Sequence, residues 1–120
     1  MDIESFRLYC LSKPGTTEGF PFGEQTLVFK VMGKMYALLS LDEGNRANLK
    51  CDPDYALELR EHHPEDVLPG YHMSKKHWNT ILLNQGLDQD LITSLIDHSY
   101  KLVVAKLPKK DREKLEQGFS

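Results

Sequence analysis

Two runs of alternating apolar residues, 25–32 and 35–41, constrain the fold of this chain most strongly. Only Gly33-Lys34 separates them, and glycine at the first of two loop positions is typical of a type II′ hairpin turn. This register places Phe29 opposite Leu38. One face of the hairpin is then wholly apolar, and we expect it to pack against helices. That face consists of Leu27, Phe29, Val31, Tyr36 and Leu38.

The rest of the chain alternates between helical and strand patterns. Apolar spacing and capping residues predict helices over residues 2–13, 53–63 and 88–107, and a short polar helix or frayed tail over 109–118. Alternation predicts strands over 46–51, 67–73 and 77–83. Segment 16–23 is rich in Gly and Pro and is predicted as a loop with its two phenylalanine rings packed on the core. Strands joined by tight turns favour an α+β fold, an antiparallel sheet of about five strands with helices on one face.

Length and composition predict one soluble domain over residues 1–120. Hydrophobic residues make up 40% and charged residues 28% of the chain, which is typical of globular proteins. No long apolar run indicates a membrane span, and no signal peptide is recognisable, so we expect a monomer in the cytoplasm. Cys10 and Cys51 lie far apart without a CxxC motif and are expected to be free thiols.

Motifs for metal, nucleotide or nucleophilic chemistry are missing from the sequence. The five histidines have no zinc-type spacing, and no HExxH, P-loop, GxGxxG or GxSxG motif occurs. The cysteines resemble small buried hydrophobes rather than nucleophiles. We therefore predict no catalytic residues, no metal site and no cofactor.

Charge argues both for and against nucleic-acid binding. The formal net charge is −3, whereas nucleic-acid-binding domains are usually basic. The charge is uneven, because acidic residues outnumber basic ones up to residue 74 and basic residues outnumber acidic ones beyond it. A local basic patch can bind DNA even where long-range steering is poor.

Basic and aromatic residues at predicted turns and strands are the candidate DNA contacts. Two hairpin tips that carry lysine could reach along a duplex like wings and contact phosphates. Alternatively, lysines there only solvate the sheet and protect its edges. His72, His77 and Trp78 could shape the surface or stack on bases, although a lone tryptophan in a small domain is usually buried. The candidate contacts are Lys30, Lys34, Arg46, Lys50, His72, Lys75, Lys76, His77 and Trp78.

Four stretches together resemble the MmcQ/YjbR family of small bacterial proteins. They are residues 16–37, Leu49-Lys50-Cys51-Asp52-Pro53, residues 68–80 and residues 95–103. The resemblance implies a CyaY-like (frataxin-like) α+β sandwich. It also implies double-wing DNA binding, and it brings no catalytic residues.

The sequence thus favours weak, largely sequence-nonspecific binding of double-stranded DNA by a protein that is not an enzyme. The alternative is a non-catalytic module for a protein or small ligand, using Trp78, Tyr71 and the mixed hairpin face with Met32 and Met35. A metal-handling enzyme ranks third.

Overall fold

A computed structural model of the chain describes residues 1–42, 45–70 and 73–117. The described residues form an α+β domain in which one antiparallel sheet carries its helices on one face, as predicted. The helices are α1 (Ile3–Leu11), α2 (Pro53–His62), α3 (Gln89–Ala105) and α4 (Lys109–Glu116). The strands are β1 (Thr16–Gly19), β2 (Thr26–Val31), β3 (Lys34–Ser40), β4 (Arg46–Lys50), β5 (Val67–Pro69) and β6 (Trp78–Leu82), in the spatial order β1-β2-β3-β4-β6-β5.

Strand β1 lies within the segment that was predicted as a loop, so the sheet has six strands among the described residues rather than about five. Thr16–Gly19 pairs with β2 at the edge of the sheet. Such a short edge strand has too few inward-facing residues to show apolar alternation. The rings of Phe20 and Phe22 are 51% and 62% exposed. The expectation that they pack on the core was wrong.

The hairpin prediction was wrong by one residue. The two turn residues are Met32 and Gly33, with φ of 49° and 81°, as in a type I′ turn. A bulge in β3 then makes Phe29 pair with Ala37, so that Phe29 and Leu38 lie on opposite faces. Tyr36, the additional residue at the bulge, still faces the helices.

Pairing between β3 and β4 ends at Ala37 and Leu49, next to the bulge, and Ser99 of α3 bonds the backbone groups that follow. Its hydroxyl donates to the carbonyl of Tyr36 at 2.5 Å and accepts from the N–H of Lys50 at 2.9 Å. Ser99 is fully buried. One side chain therefore satisfies two backbone groups, which would otherwise be costly in the interior.

The main core lies between the sheet and the helices. Two predicted helix starts are confirmed, because Asp2 accepts the N–H of Ser5 at 2.7 Å and Asp52 accepts that of Tyr55 at 3.2 Å. The buried helix residues in this core are Phe6, Cys10, Ala56, Leu59, Ile92, Leu95, Ile96 and Val103.

Both cysteines are free and buried, as predicted. Burial raises the pKa of Cys10 to about 12 and that of Cys51 to about 11. Because the thiolate is the reactive form, both thiols should be nearly inert in the folded protein at neutral pH.

We expect Cys10 and Cys51 to react with a chromogenic disulfide reagent only on unfolding. Native protein at neutral pH should release the chromophore at least about 100-fold more slowly than protein in concentrated denaturant, because burial raises the pKa of both thiols and shields both sulfur atoms. The unfolded protein is the control, because both of its thiols should react and release chromophore. Rapid reaction of the native protein would contradict the burial of these side chains.

Candidate functional site

Both hairpin connections leave the sheet at the same end. In the antiparallel order, the Met32-Gly33 turn, the end of β4 at Lys50 and the described residues 73–77 before β6 lie together there. We call this the hairpin end. The two connections are three strand spacings apart, or about 14 Å.

The hairpin end is basic. Burial lowers the pKa of Lys50, and the charge of Lys106, just beyond α3, lowers it further. The side chains of Lys34, Lys75 and Lys76 are exposed and form no ion pair within the described part of the chain. Asp52 and Asp54, at the start of α2, oppose this charge.

The opposite end of the sheet is acidic. The N-terminal ammonium donates to the carbonyl of Leu83 at 2.7 Å, which places the start of α1 there. Arg46 also lies at this end, where β4 begins. The acidic residues that lead into or out of elements at this end are Asp2, Glu4, Glu24, Asp42, Glu65, Asp66, Asp88 and Asp90.

The predicted DNA contacts are therefore divided between the two ends of the sheet, with the lysines at the hairpin end and Arg46 at the acidic end. Besides the lysines already placed, Lys30 lies on the open face of the sheet, paired with Met35, near the hairpin end. His77 is half-buried there, and its carbonyl accepts the N–H of Cys51 at 2.8 Å. Arg46 is not brought together with the lysines. His72 and Tyr71 lie outside the described residues.

Trp78 is buried beneath the open face. It is 8% exposed and forms a small second core with Val28 and Leu38, against which Met35 and Met73 pack. In this position the indole shapes the face from within, and its ring is not available for stacking on a base.

Arg60 of α2 anchors residues 75–79, at the start of β6. Its Nε donates to the side-chain oxygen of Asn79 at 2.7 Å, and one terminal nitrogen donates to the carbonyls of Trp78, at 3.3 Å, and Lys75. This guanidinium therefore ties the second lysine-bearing tip to the helix layer. The sequence analysis did not identify Arg60; the available signal was Asn79, an amide side chain in a mostly apolar strand.

A groove of about 470 Å³ occupies the remainder of the open face. Towards the hairpin end it is lined by Met35 and Met73. The middle row consists of Leu38, Asn48 and Thr80, and the Thr80 hydroxyl donates to the Asn48 side chain. The far row consists of Thr26, Ser40 and Arg46, and Asp42 and Phe22 complete the lining.

The described ranges contain no helix with the length and apolar character needed to cross a membrane. In the same ranges, no three His, Cys, Asp or Glu side chains are grouped so that they could hold a metal ion.

Comparison with known families identifies the chain. The YjbR family model matches residues 11–102. The chain belongs to the YjbR family. The resemblance seen in the sequence is therefore confirmed.

Several bacterial relatives match nearly the full length of the chain. An uncharacterized protein YbdF of Escherichia coli O157:H7 is 35% identical over 96% of this chain and 94% of its own length. The uncharacterized protein YjbR of E. coli K12 is 34% identical, covering 98% and 99%. The crystal structure of a Deinococcus radiodurans protein with a DUF419 domain superposes with a TM-score of 0.89 at 40% identity, covering 98% of this chain and 90% of that one.

Within this YjbR fold, the sequence analysis missed most of the groove. It singled out Met35 and the mixed hairpin face, but not Ser40, Asn48 or Thr80. These short polar residues interrupt predicted strands, and that interruption was the available signal. They meet only because β3, β4 and β6 are neighbours, an order that local patterns do not encode.

Proposed function

We propose that this YjbR protein binds double-stranded DNA weakly and largely without sequence preference, through its hairpin end. The observation that carries the proposal is that two lysine-bearing tips leave the same end of one sheet. The protein would act as a cytoplasmic monomer that binds DNA without catalysing a reaction.

Segregation of charge answers the objection raised by the net charge of −3. The acidic end lies roughly one strand length, or about 20 Å, from the hairpin end. The Debye length at physiological ionic strength is about 8 Å. A phosphate held at the hairpin end is therefore largely screened from the acidic end, while Lys34, Lys75 and Lys76 act at contact distance.

The absence of sequence preference follows from the residue types at the described tips. Lysine side chains contact phosphates, which position a protein on DNA but carry no sequence information. The ring best suited to stacking, Trp78, is buried. The expected affinity is that of nonspecific contacts, on the order of 10⁻⁴–10⁻⁶ M at physiological salt.

The double change Lys75→Ala, Lys76→Ala should weaken binding equally for duplexes of different sequence. The slope of log K against log salt should flatten by about one to two units, because two phosphate contacts are lost. The measurement is a salt-dependent anisotropy titration with labelled duplexes. Lys101→Glu, at an exposed position of α3, removes the same amount of charge from the helix layer and is the matched control.

Two results would refute the proposal. One is the lack of saturable binding at low salt up to millimolar protein. The other is an equal loss of affinity in Lys101→Glu, because this would show that only total charge matters and that the hairpin tips have no special role.

A further inference from the structure

We propose that the groove on the open face binds a small zwitterion with a large apolar side chain, the chemistry of a free aromatic or long aliphatic amino acid. This site is separate from the proposed phosphate contacts at the hairpin tips. Its lining changes from apolar to charged along the strands, and this gradient carries the proposal.

The apolar half of the groove is preformed. No helix covers the open face in the described ranges, yet Val28 and Leu38 are only 1% and 7% exposed there. They are covered by Trp78 together with Met35 and Met73. The two methionines and Leu38 also line the groove. Flexible, polarizable methionine side chains adapt to apolar and aromatic groups, so this half suits an apolar body.

The polar half presents one charge of each sign. Arg46 and Asp42 both line the far end of the groove, beside the hydroxyl of Ser40. Both charged residues already interact within the protein. A guanidinium has several N–H donors and a carboxylate has several acceptor positions, so each serves more than one partner.

This pair of charges selects the ligand class. A simple anion drawn to Arg46 would also face Asp42, and a simple cation drawn to Asp42 would face Arg46. A molecule that carries both a carboxylate and an ammonium matches both residues at once. The groove volume of about 470 Å³ lies in the usual range for small-molecule sites.

Trp78 provides the measurement, because it is the only tryptophan in the chain and lies directly behind the apolar wall. The probe is L-phenylalanine, with tryptophan excited at the red edge, where the probe does not absorb. We expect a saturable change in Trp78 emission. Phenethylamine lacks the carboxylate and 3-phenylpropionate lacks the ammonium, and each should bind at least about ten-fold more weakly, as expected when one charge-assisted hydrogen bond is lost.

A charge-neutral variant tests the orientation of the ligand. Asp42→Asn should weaken the binding of L-phenylalanine about ten-fold. It should also remove the discrimination against 3-phenylpropionate, because the carboxylate that repels this anion has gone. Glu65→Gln, an exposed change at the same acidic end but outside the groove lining, is the matched control and should leave both affinities unchanged. Circular dichroism of each variant establishes that it is folded.

Three outcomes would overturn the proposal. The first is the lack of a saturable emission change up to the solubility limit of L-phenylalanine. The second is equal affinity of the wild-type protein for 3-phenylpropionate, which would indicate an anion site instead. The third is concentration-dependent self-association that Asp42→Asn abolishes, which would assign the groove to a second copy of the chain.

Discussion

Trp78→Ala should lower the free energy of unfolding by about 3–5 kcal/mol, the usual cost of truncating a buried large aromatic side chain. The indole is the largest member of the second core, and it supports Val28 and Leu38 on a face without a helix among the described residues. Its removal leaves a cavity that Met35 and Met73 can only partly fill. Equilibrium urea unfolding followed by far-UV circular dichroism measures the change.

The control for Trp78→Ala is Leu57→Ala on α2. Leu57 is 59% exposed, so its truncation should change the free energy of unfolding by no more than about 0.5 kcal/mol. A cost below about 1 kcal/mol for Trp78→Ala would mean that the second core contributes little to stability. The apolar half of the groove would then not be a rigid surface.

Ser99→Ala should lower the free energy of unfolding by about 2–4 kcal/mol, although it removes only one oxygen atom. The change leaves the carbonyl of Tyr36 and the N–H of Lys50 without their partner at the bulge. An unsatisfied buried polar group costs about 1–3 kcal/mol. Denaturant unfolding measures this difference as well.

Ser94→Ala is the matched control on the same helix. Its hydroxyl donates to the carbonyl of Leu91 at 2.7 Å, but Ser94 is exposed, so water can replace the lost contact. We expect a change within about 0.5 kcal/mol. Similar costs at both positions would show that helix propensity, and not the bridge across the bulge, explains the effect of Ser99→Ala.

The sequence predicted those parts of the fold that depend on local patterns. The cap at Asp52 and the apolar stripe of α3 were predicted correctly because their causes lie within a few residues. The hairpin register was wrong because the turn consists of Met32-Gly33 and because a bulge at Tyr36 follows it. At that bulge the carbonyl of Tyr36 is satisfied by Ser99, which lies 63 residues away in the chain.

The candidate site was less predictable than the fold, for the same physical reason. Lys34, Lys75 and Lys76 stand out in the sequence because turn residues are exposed wherever the turn lies. Arg46 was grouped with these lysines, yet the strand direction places it at the other end of the sheet. Neither the anchoring role of Arg60 nor the groove is visible before the neighbours of β4 and β6 are known.

The segregation of charge gives the molecule an electric dipole along the strands, with its positive pole at the hairpin end. Near a polyanion, such a dipole experiences a torque that turns the hairpin end towards the negative surface before contact, so the negative net charge does not decide the outcome of an encounter. The same dipole makes two copies attract each other head to tail, basic end against acidic end. Salt screens both interactions. The low ionic strength that allows an oriented approach to DNA therefore also favours association of the protein with itself.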